Sequence, residues 1–193
     1  MKTFVIFLMC SLFCVLVFAD PYDLSALKTD PKIKYLIENE ILNWINNPVL
    51  LKAIKQANIQ NKNRSLDKVK ELDKKWRAVN GVDEFIKQLL TNEAALFLKN
   101  ICEKSQDKYA EIFIMDFQGC NVAQTHKTSD YWQGDEDKFI KSFNNGKGAV
   151  FADKVEFDES TQEYLIQVSL PIIDTGTKKA IGAATIGVNV NKI

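Results

Sequence analysis

The spacing of hydrophobic positions along the chain changes near Tyr109. Before this residue, apolar side chains recur every three or four positions, as they do in amphipathic helices. After it, short runs rich in β-branched and aromatic residues are separated by turn signals, a pattern typical of strands. The sequence therefore predicts an α+β fold with a helical region at residues 20–108 and an antiparallel sheet at residues 109–193, together forming one domain.

The helical region begins with Asp30 as a cap and proline at the first helical position. Its apolar stripe continues to Ile45 and predicts a long N-terminal helix, which Asn46-Asn47-Pro48 ends. Four further helices are predicted, starting after Pro48, at the cap Ser65, beyond Gly81 and at the cap Asn92.

Two tryptophans of this region, Trp44 and Trp76, lie on the apolar stripes. Side chains at this spacing belong to the core more often than to a ligand site. We therefore expect both indoles to be buried.

Five strands are predicted after residue 108, at residues 109–117, 120–125, 149–157, 164–171 and 180–190. A helix from about Asp135 to Phe143 lies between the second and third strands. The short links between the later strands predict a meandering sheet. The N-terminal helices would cover one face and the 126–143 connection the other.

Alternation along the fourth strand divides its side chains between the two faces. Ile166, Val168 and Leu170 suit the helical layer, with Tyr164 on the same side. Gln167 and Ser169 would then point beneath the 126–143 connection, where they bind either a ligand or the loop backbone. The small residues of the fifth strand, Gly182, Ala183, Ala184 and Gly187, leave room for a ligand or for a closely packed helix.

Ligand recognition is expected in the loop at residues 128–136. The loop combines adjacent aromatic side chains with an amide and carboxylates, and it has no apolar period of its own. Such groups supply shape and orientation in binding loops held by a sheet. The alternative is that Tyr131 and Trp132 seal the edge of the core while the acids cap the next helix. With the two residues of the fourth strand, the candidate binding residues are Asp130, Tyr131, Trp132, Gln133, Asp135, Gln167 and Ser169.

The first 19 residues have the pattern of a secretory signal peptide, with a basic start, an apolar stretch from Phe4 to Phe18 and a cleavage site after Ala19. The apolar stretch is short for a membrane span. No later stretch is long and apolar enough to cross a bilayer. We therefore expect a soluble periplasmic or secreted protein without its own transmembrane transmitter.

Charge and cysteine content limit the partners. With 25 basic and 25 acidic residues in the full chain, there is no excess of positive charge of the kind that binds nucleic acid.

Cys102 and Cys120 remain after cleavage of the signal peptide, in a compartment that permits disulfides. Whether they pair stays open, because the bond requires Cα atoms within about 7 Å.

The sequence does not indicate catalysis. His126 is the single histidine, and on an extended strand it would lie about 20 Å from Cys120, too far for a nucleophile and its base. The carboxylate clusters at residues 135–137 and 153–159 do not match calcium-loop spacing. We therefore expect no enzymatic activity, no metal and no cofactor.

Five motifs spread along the chain carry a resemblance to a known family. They are Leu72-Asp73-Lys74-Lys75-Trp76-Arg77-Ala78, Glu111-Ile112-Phe113-Ile114-Met115-Asp116, Ser129-Asp130-Tyr131-Trp132-Gln133-Gly134-Asp135-Glu136, Val155-Glu156-Phe157-Asp158-Glu159-Ser160-Thr161 and Gln167-Val168-Ser169-Leu170-Pro171. These motifs resemble those of the Cache superfamily of extracytoplasmic sensor domains, also called PAS-like or PDC-type, and more narrowly those of periplasmic single-Cache proteins named for a PDC sensor domain. The resemblance covers about Asp30 to Val190.

The resemblance implies a ligand between the sheet and the connection after the second strand. Carboxylates such as Asp130 and Asp135 favour a small polar metabolite, for example an amino acid, an amine or a small carboxylate. Because no transmitter is expected, a signal would pass to a membrane receptor or another exported protein. The alternative function is a protein-interaction module without a small ligand, in which the N-terminal helix pairs with itself as a homodimer or with another protein.

Overall fold

The computed structural model describes residues 20–158 and 162–193. The expected signal peptide, residues 1–19, and part of the turn after the third strand, residues 159–161, lie outside the described residues. No helix within the described ranges is long and apolar enough to span a membrane.

The described residues form six α-helices, most of which begin at a side-chain cap. Asp30, Asn47, Ser65, Asp83 and Asn92 each accept a hydrogen bond from a backbone N–H in the first helical turn. The helices are α1 (Pro31–Asn39), α2 (Pro48–Asn61), α3 (Leu66–Ala78), α4 (Glu84–Thr91), α5 (Glu93–Lys104) and α6 (Asp137–Phe143).

The N-terminal helix is shorter than its apolar stripe predicts. It ends at Asn39, and a 3-10 turn over Ile41–Asn43 follows. Glu40 leaves the helical conformation, with φ −122°, and its carboxylate accepts hydrogen bonds from Lys108 Nζ and the Tyr109 hydroxyl. Ile41 and Ile45 are nevertheless completely buried, because the change of backbone keeps them directed at the core.

The sheet is antiparallel throughout, in the order β2-β1-β5-β4-β3. The predicted simple meander is wrong in one respect, since β5 lies in the centre and pairs with both β1 and β4. The β2–β3 connection crosses from one edge to the other and leaves an edge of β1 free for β5. The strands are β1 (Tyr109–Met115), β2 (Asn121–Gln124), β3 (Phe151–Asp158), β4 (Glu163–Ile173) and β5 (Ala180–Asn189).

The two faces of the sheet carry different layers, as predicted. One face meets the N-terminal helices in the main hydrophobic cluster, to which Ile166, Val168 and Leu170 contribute from β4. The other face packs on α6, where Phe113 of β1 contacts Phe139. The fold is therefore α+β, with a helical layer on one side and a loop–helix connection on the other.

Trp44 and Trp76 are buried, which confirms their assignment to the core. At Gly182 in β5, a Cβ would lie 2.2 Å from the Met115 carbonyl oxygen of β1 and 3.1 Å from the Ile54 side chain of α2. The space at this small residue is therefore filled by the adjacent strand and by a closely packed helix.

Candidate functional site

The loop at residues 128–136 extends the sheet at the β2 edge. The Asn121 N–H donates to the Tyr131 carbonyl at 2.9 Å, and the Gln133 N–H donates to the Gly119 carbonyl at 2.8 Å. Cys120 and Trp132 form an antiparallel bridge between these bonds. The loop therefore has a fixed backbone along the start of β2.

Helix α3 holds the loop from the other side. The Asp73 carboxylate accepts the Tyr131 and Trp132 N–H groups at 3.0 and 3.1 Å. The Trp76 indole N–H donates to the Thr128 carbonyl at 2.8 Å. These anchors were not predicted as site residues. Asp73 and Trp76 occur together in the motif at residues 72–78, but a helical spacing does not show which loop they meet.

Tyr131 lies in the core. It is 3% exposed, and its ring lies 5.9 Å from that of Trp76 and 5.1 Å from that of Phe85. Its hydroxyl accepts a hydrogen bond from Arg64 at 2.9 Å, and burial raises its pKa. Tyr131 therefore supports the loop from the helical side, as the alternative interpretation of this aromatic expected.

Trp132 lines a separate cleft on the outer side of α3, which we call the Trp132 cleft. Its indole N–H donates to the Gln118 carbonyl at 2.8 Å, and the Lys70 ammonium lies 5.8 Å from the ring centroid. The cleft has a volume of about 480 Å³ and is lined by Lys70, Asp73, Lys74, Arg77, Asp130, Trp132, Asp135 and Glu136. Three of the predicted residues, Asp130, Trp132 and Asp135, thus meet at one concave surface.

Gln133 does not line the Trp132 cleft. It is 1% exposed, and its amide donates to the Asp130 carbonyl at 2.8 Å. Ser169 is also completely buried and shares a 2.9 Å hydrogen bond with Thr185 of β5. These two predicted binding residues are consequently used to hold the loop and the sheet.

A second cleft lies between the start of α6 and the sheet, and we call it the Glu111 cleft. It has a volume of about 310 Å³, and it is lined by Glu111, Glu136, Lys138, Asp153, Lys154, Glu156, Phe157, Asp158, Leu165 and Gln167. Gln167 points into this space, beneath the 126–143 connection. The Glu111 cleft is therefore where the resemblance places a ligand, and Glu136 joins it to the Trp132 cleft.

Glu111 lies largely buried at the wall of this cleft. Burial raises the pKa of its carboxyl above the usual value, and hydrogen bonding to Gln167 opposes this shift. The Gln167 amide donates to Glu111 Oε1 at 3.2 Å. The positive charge of Lys138 lowers the pKa of this carboxyl, but Lys138 forms an ion pair with Glu136 at 3.0 Å. The negative charge of Glu111 is thus poorly balanced by positive charge, and the carboxylate faces a polar cleft.

The Cys120 thiol and the His126 imidazole differ in exposure. Cys120 is completely buried, whereas His126 is exposed just beyond the end of β2. Both Cys102 and Cys120 are free thiols. Within residues 20–158 and 162–193, no group of three or more His, Cys, Asp or Glu side chains is arranged to hold a metal ion.

Comparison with known proteins gave matches among solved structures alone. No family model matches the chain, and no curated protein matches it. Among the solved structures, the sensor domain of the V. cholerae histidine kinase DctB has a TM-score of 0.43 and 11% identity, over 83% of this chain and 50% of that one.

Two chemoreceptor domains are also similar. The sensory domain of Campylobacter jejuni Tlp3, solved with isoleucine bound, has a TM-score of 0.37 and 17% identity, over 84% of this chain and 64% of that one. The ligand-binding domain of Pseudomonas aeruginosa PctC, in complex with GABA, has a TM-score of 0.36 and 13% identity, over 79% and 62%. This chain spans half to two thirds of these proteins.

Proposed function

We propose that this protein is an exported sensor-type domain that binds a small polar metabolite with an amino group, such as an amino acid or an amine, in the Glu111 cleft. The observation that carries this proposal is the partly buried Glu111 carboxylate, which has a neutral amide as its hydrogen-bond partner. A desolvated carboxylate is stabilised by a cation at hydrogen-bond distance. A ligand ammonium would supply that cation.

The other end of an amino acid would meet Lys138. The Lys138 side chain is 15% exposed and lines the same cleft. A ligand carboxylate could replace Glu136 as the partner of Lys138, so that the Lys138 ammonium would still be part of an ion pair. A zwitterionic ligand therefore fits the two opposite charges better than a simple carboxylate, which could pair with Lys138 but would leave Glu111 without a cation.

The test is a thermal-shift and calorimetric screen of amino acids, amines and small carboxylates at pH 7. A ligand at 100 times its Kd should add about 2.7 kcal/mol to the stability of the native state. For a domain of this size, that corresponds to a rise of roughly 5–10 °C in Tm. Glu111→Gln should abolish the shift, whereas Glu103→Gln on the exposed face of α5 should preserve it.

The same screen separates the two clefts. Asp135→Asn and Trp132→Ala alter the Trp132 cleft and leave the Glu111 side chain in place. If these variants lose binding while Glu111→Gln retains it, the ligand occupies the Trp132 cleft and the proposal for Glu111 is wrong. If none of the ligand classes shifts the melting curve, the binding function itself is wrong.

Passage of a signal to a membrane receptor or another exported protein remains part of the proposal. Cleavage after Ala19 would be checked by the N-terminal sequence of the exported protein. The alternative function, pairing through the N-terminal helix, has less support because Ile37 and Ile41 are completely buried in the chain's own core.

A further inference from the structure

Strand β3 forms one edge of the sheet. It pairs with β4, while no other strand of the described residues lies beyond it. Five consecutive side chains in its middle are exposed, residues 153–157. An edge strand of this kind offers backbone N–H and C=O groups to another strand.

One backbone N–H group of β3 donates a hydrogen bond to an exposed side chain. The Lys154 N–H donates to the Asp153 carboxylate at 2.8 Å, in an exposed position. Because the acceptor is an exposed side chain, a backbone carbonyl of an incoming strand can take its place. The interruption of the β3–β4 register between Ala152 and Val155 lies at this point.

The exposed side chains of β3 divide into an apolar and a charged side. Val155 and Phe157 lie opposite Ile166 and Tyr164 of β4, on the side of the helical layer. The Phe157 and Tyr164 rings are 5.2 Å apart, and each side chain is about half exposed. Lys154 and Glu156 point to the other side and form no ion pair within the described part of the chain.

We propose that a second copy of this chain binds at β3, antiparallel to the first, with Val155 on the two-fold axis. This arrangement places Lys154 of each copy opposite Glu156 of the other, so that two unpaired ions become two opposite-charge pairs. The two Val155 side chains meet at the axis, and each Phe157 reaches the valine diagonally across.

The charge pattern selects this register. Shifting the register by two residues moves the axis to Glu156 and places the two Glu156 side chains directly opposite each other, which destabilises a strand pair. Shifting the register by one residue would set the apolar side of one copy against the charged side of the other. The proposed dimer uses β3 and leaves α1 free, so it differs from pairing through the N-terminal helix. Because Lys154 and Glu156 also line the Glu111 cleft, self-association is measured without added ligand.

The test uses charge reversal in two separate variants, K154E and E156K, of the mature protein. Each alone places two like-charge pairs at the axis and should weaken self-association about tenfold or more. An equimolar mixture of the two variants places opposite charges together in both positions and should restore association as a heterodimer. The double variant K154E/E156K should self-associate as the unmodified protein does.

Sedimentation equilibrium from about 10 µM to 1 mM covers the range expected for a small interface. K62E, which reverses an exposed charge at the end of α2, is the matched control and should leave association unchanged. Hydrogen exchange of residues 151–158 should slow as concentration rises. The proposal is overturned if the unmodified protein stays monomeric over this range, or if the mixture associates no better than its components.

Discussion

The Asp73 carboxylate on α3 accepts the backbone N–H of Tyr131 at 3.0 Å. The same oxygen accepts the Trp132 N–H at 3.1 Å, and the side chain is 6% exposed. Two residues 58 positions apart are thereby joined by a charge-assisted hydrogen bond in a largely buried place. This bond fixes which side of the loop faces the helices and which side faces the Trp132 cleft.

Removal of this carboxylate should destabilise the protein. Asp73→Ala leaves two N–H groups without their acceptor, and we expect a loss of about 3 kcal/mol in the free energy of unfolding. Asp73→Asn retains one acceptor oxygen and should lose less. Asp67→Ala, at an exposed position in the first turn of the same helix, should cost less than about 1 kcal/mol. Urea denaturation measures all three, and equal losses for Asp73→Ala and Asp67→Ala would contradict the role of Asp73.

Gly134 should not tolerate a side chain. A Cβ there would lie 2.2 Å from Trp132 Nε1 and 2.4 Å from the Gln118 carbonyl oxygen. Gly134→Ala should therefore displace the indole, change its fluorescence and cost about 1–3 kcal/mol. At Gly176 the nearest atom is an Asp174 side-chain oxygen at 3.3 Å. Gly176→Ala should change stability by less than about 0.5 kcal/mol, and a similar loss in both variants would argue against the contact with Trp132.

Glu111 should make stability depend on pH in a defined direction. Its folded-state pKa is raised above the usual 4.5, so the folded protein binds the proton more tightly than the unfolded chain. The stability from this group is complete below pH 4.5 and is lost as pH rises through the raised folded value. The stability of the unmodified protein relative to Glu111→Gln should therefore decrease between pH 4.5 and neutral pH.

Thermal denaturation of the two proteins at a series of pH values measures this difference. Subtracting one curve from the other removes the contributions of the other carboxylates. A difference that stays constant, or grows in favour of the unmodified protein as pH rises, would show that Glu111 is not a desolvated acid.

The two thiols should remain reduced and react slowly in the native protein. Burial raises the pKa of Cys102 to about 11 and that of Cys120 to about 12. At pH 8 the thiolate fractions would be about one in a thousand and one in ten thousand. A thiol reagent should therefore titrate both groups rapidly only after denaturation. Rapid native reaction would contradict the raised pKa values of these thiols, and an intact mass two hydrogens lower would show that they form a disulfide.

The sequence by itself determined the elements and the faces of the sheet. Caps such as Ser65 and Asn92, the helical stripes and the alternation along β4 depend on neighbouring residues, and periodicity records these local requirements. For the same reason, Trp76 was correctly assigned to the core. The motif at residues 128–136 was also visible in sequence because its composition differs from that of the adjoining segments.

Only the tertiary structure decided what these elements meet. The central position of β5 follows from the path of the β2–β3 connection across the sheet, which no local pattern records. Tyr131 and Trp132 are adjacent, yet the bridge to Cys120 and the bonds to Asp73 turn one into the core and the other towards the Trp132 cleft. In the sequence, Glu111 is only part of a predicted strand motif. Its raised pKa and its place at the candidate site depend on burial of the carboxylate among α6, β3 and β4. Burial and pairing of a charge are properties of the packed molecule, so they appear only when distant segments are brought together.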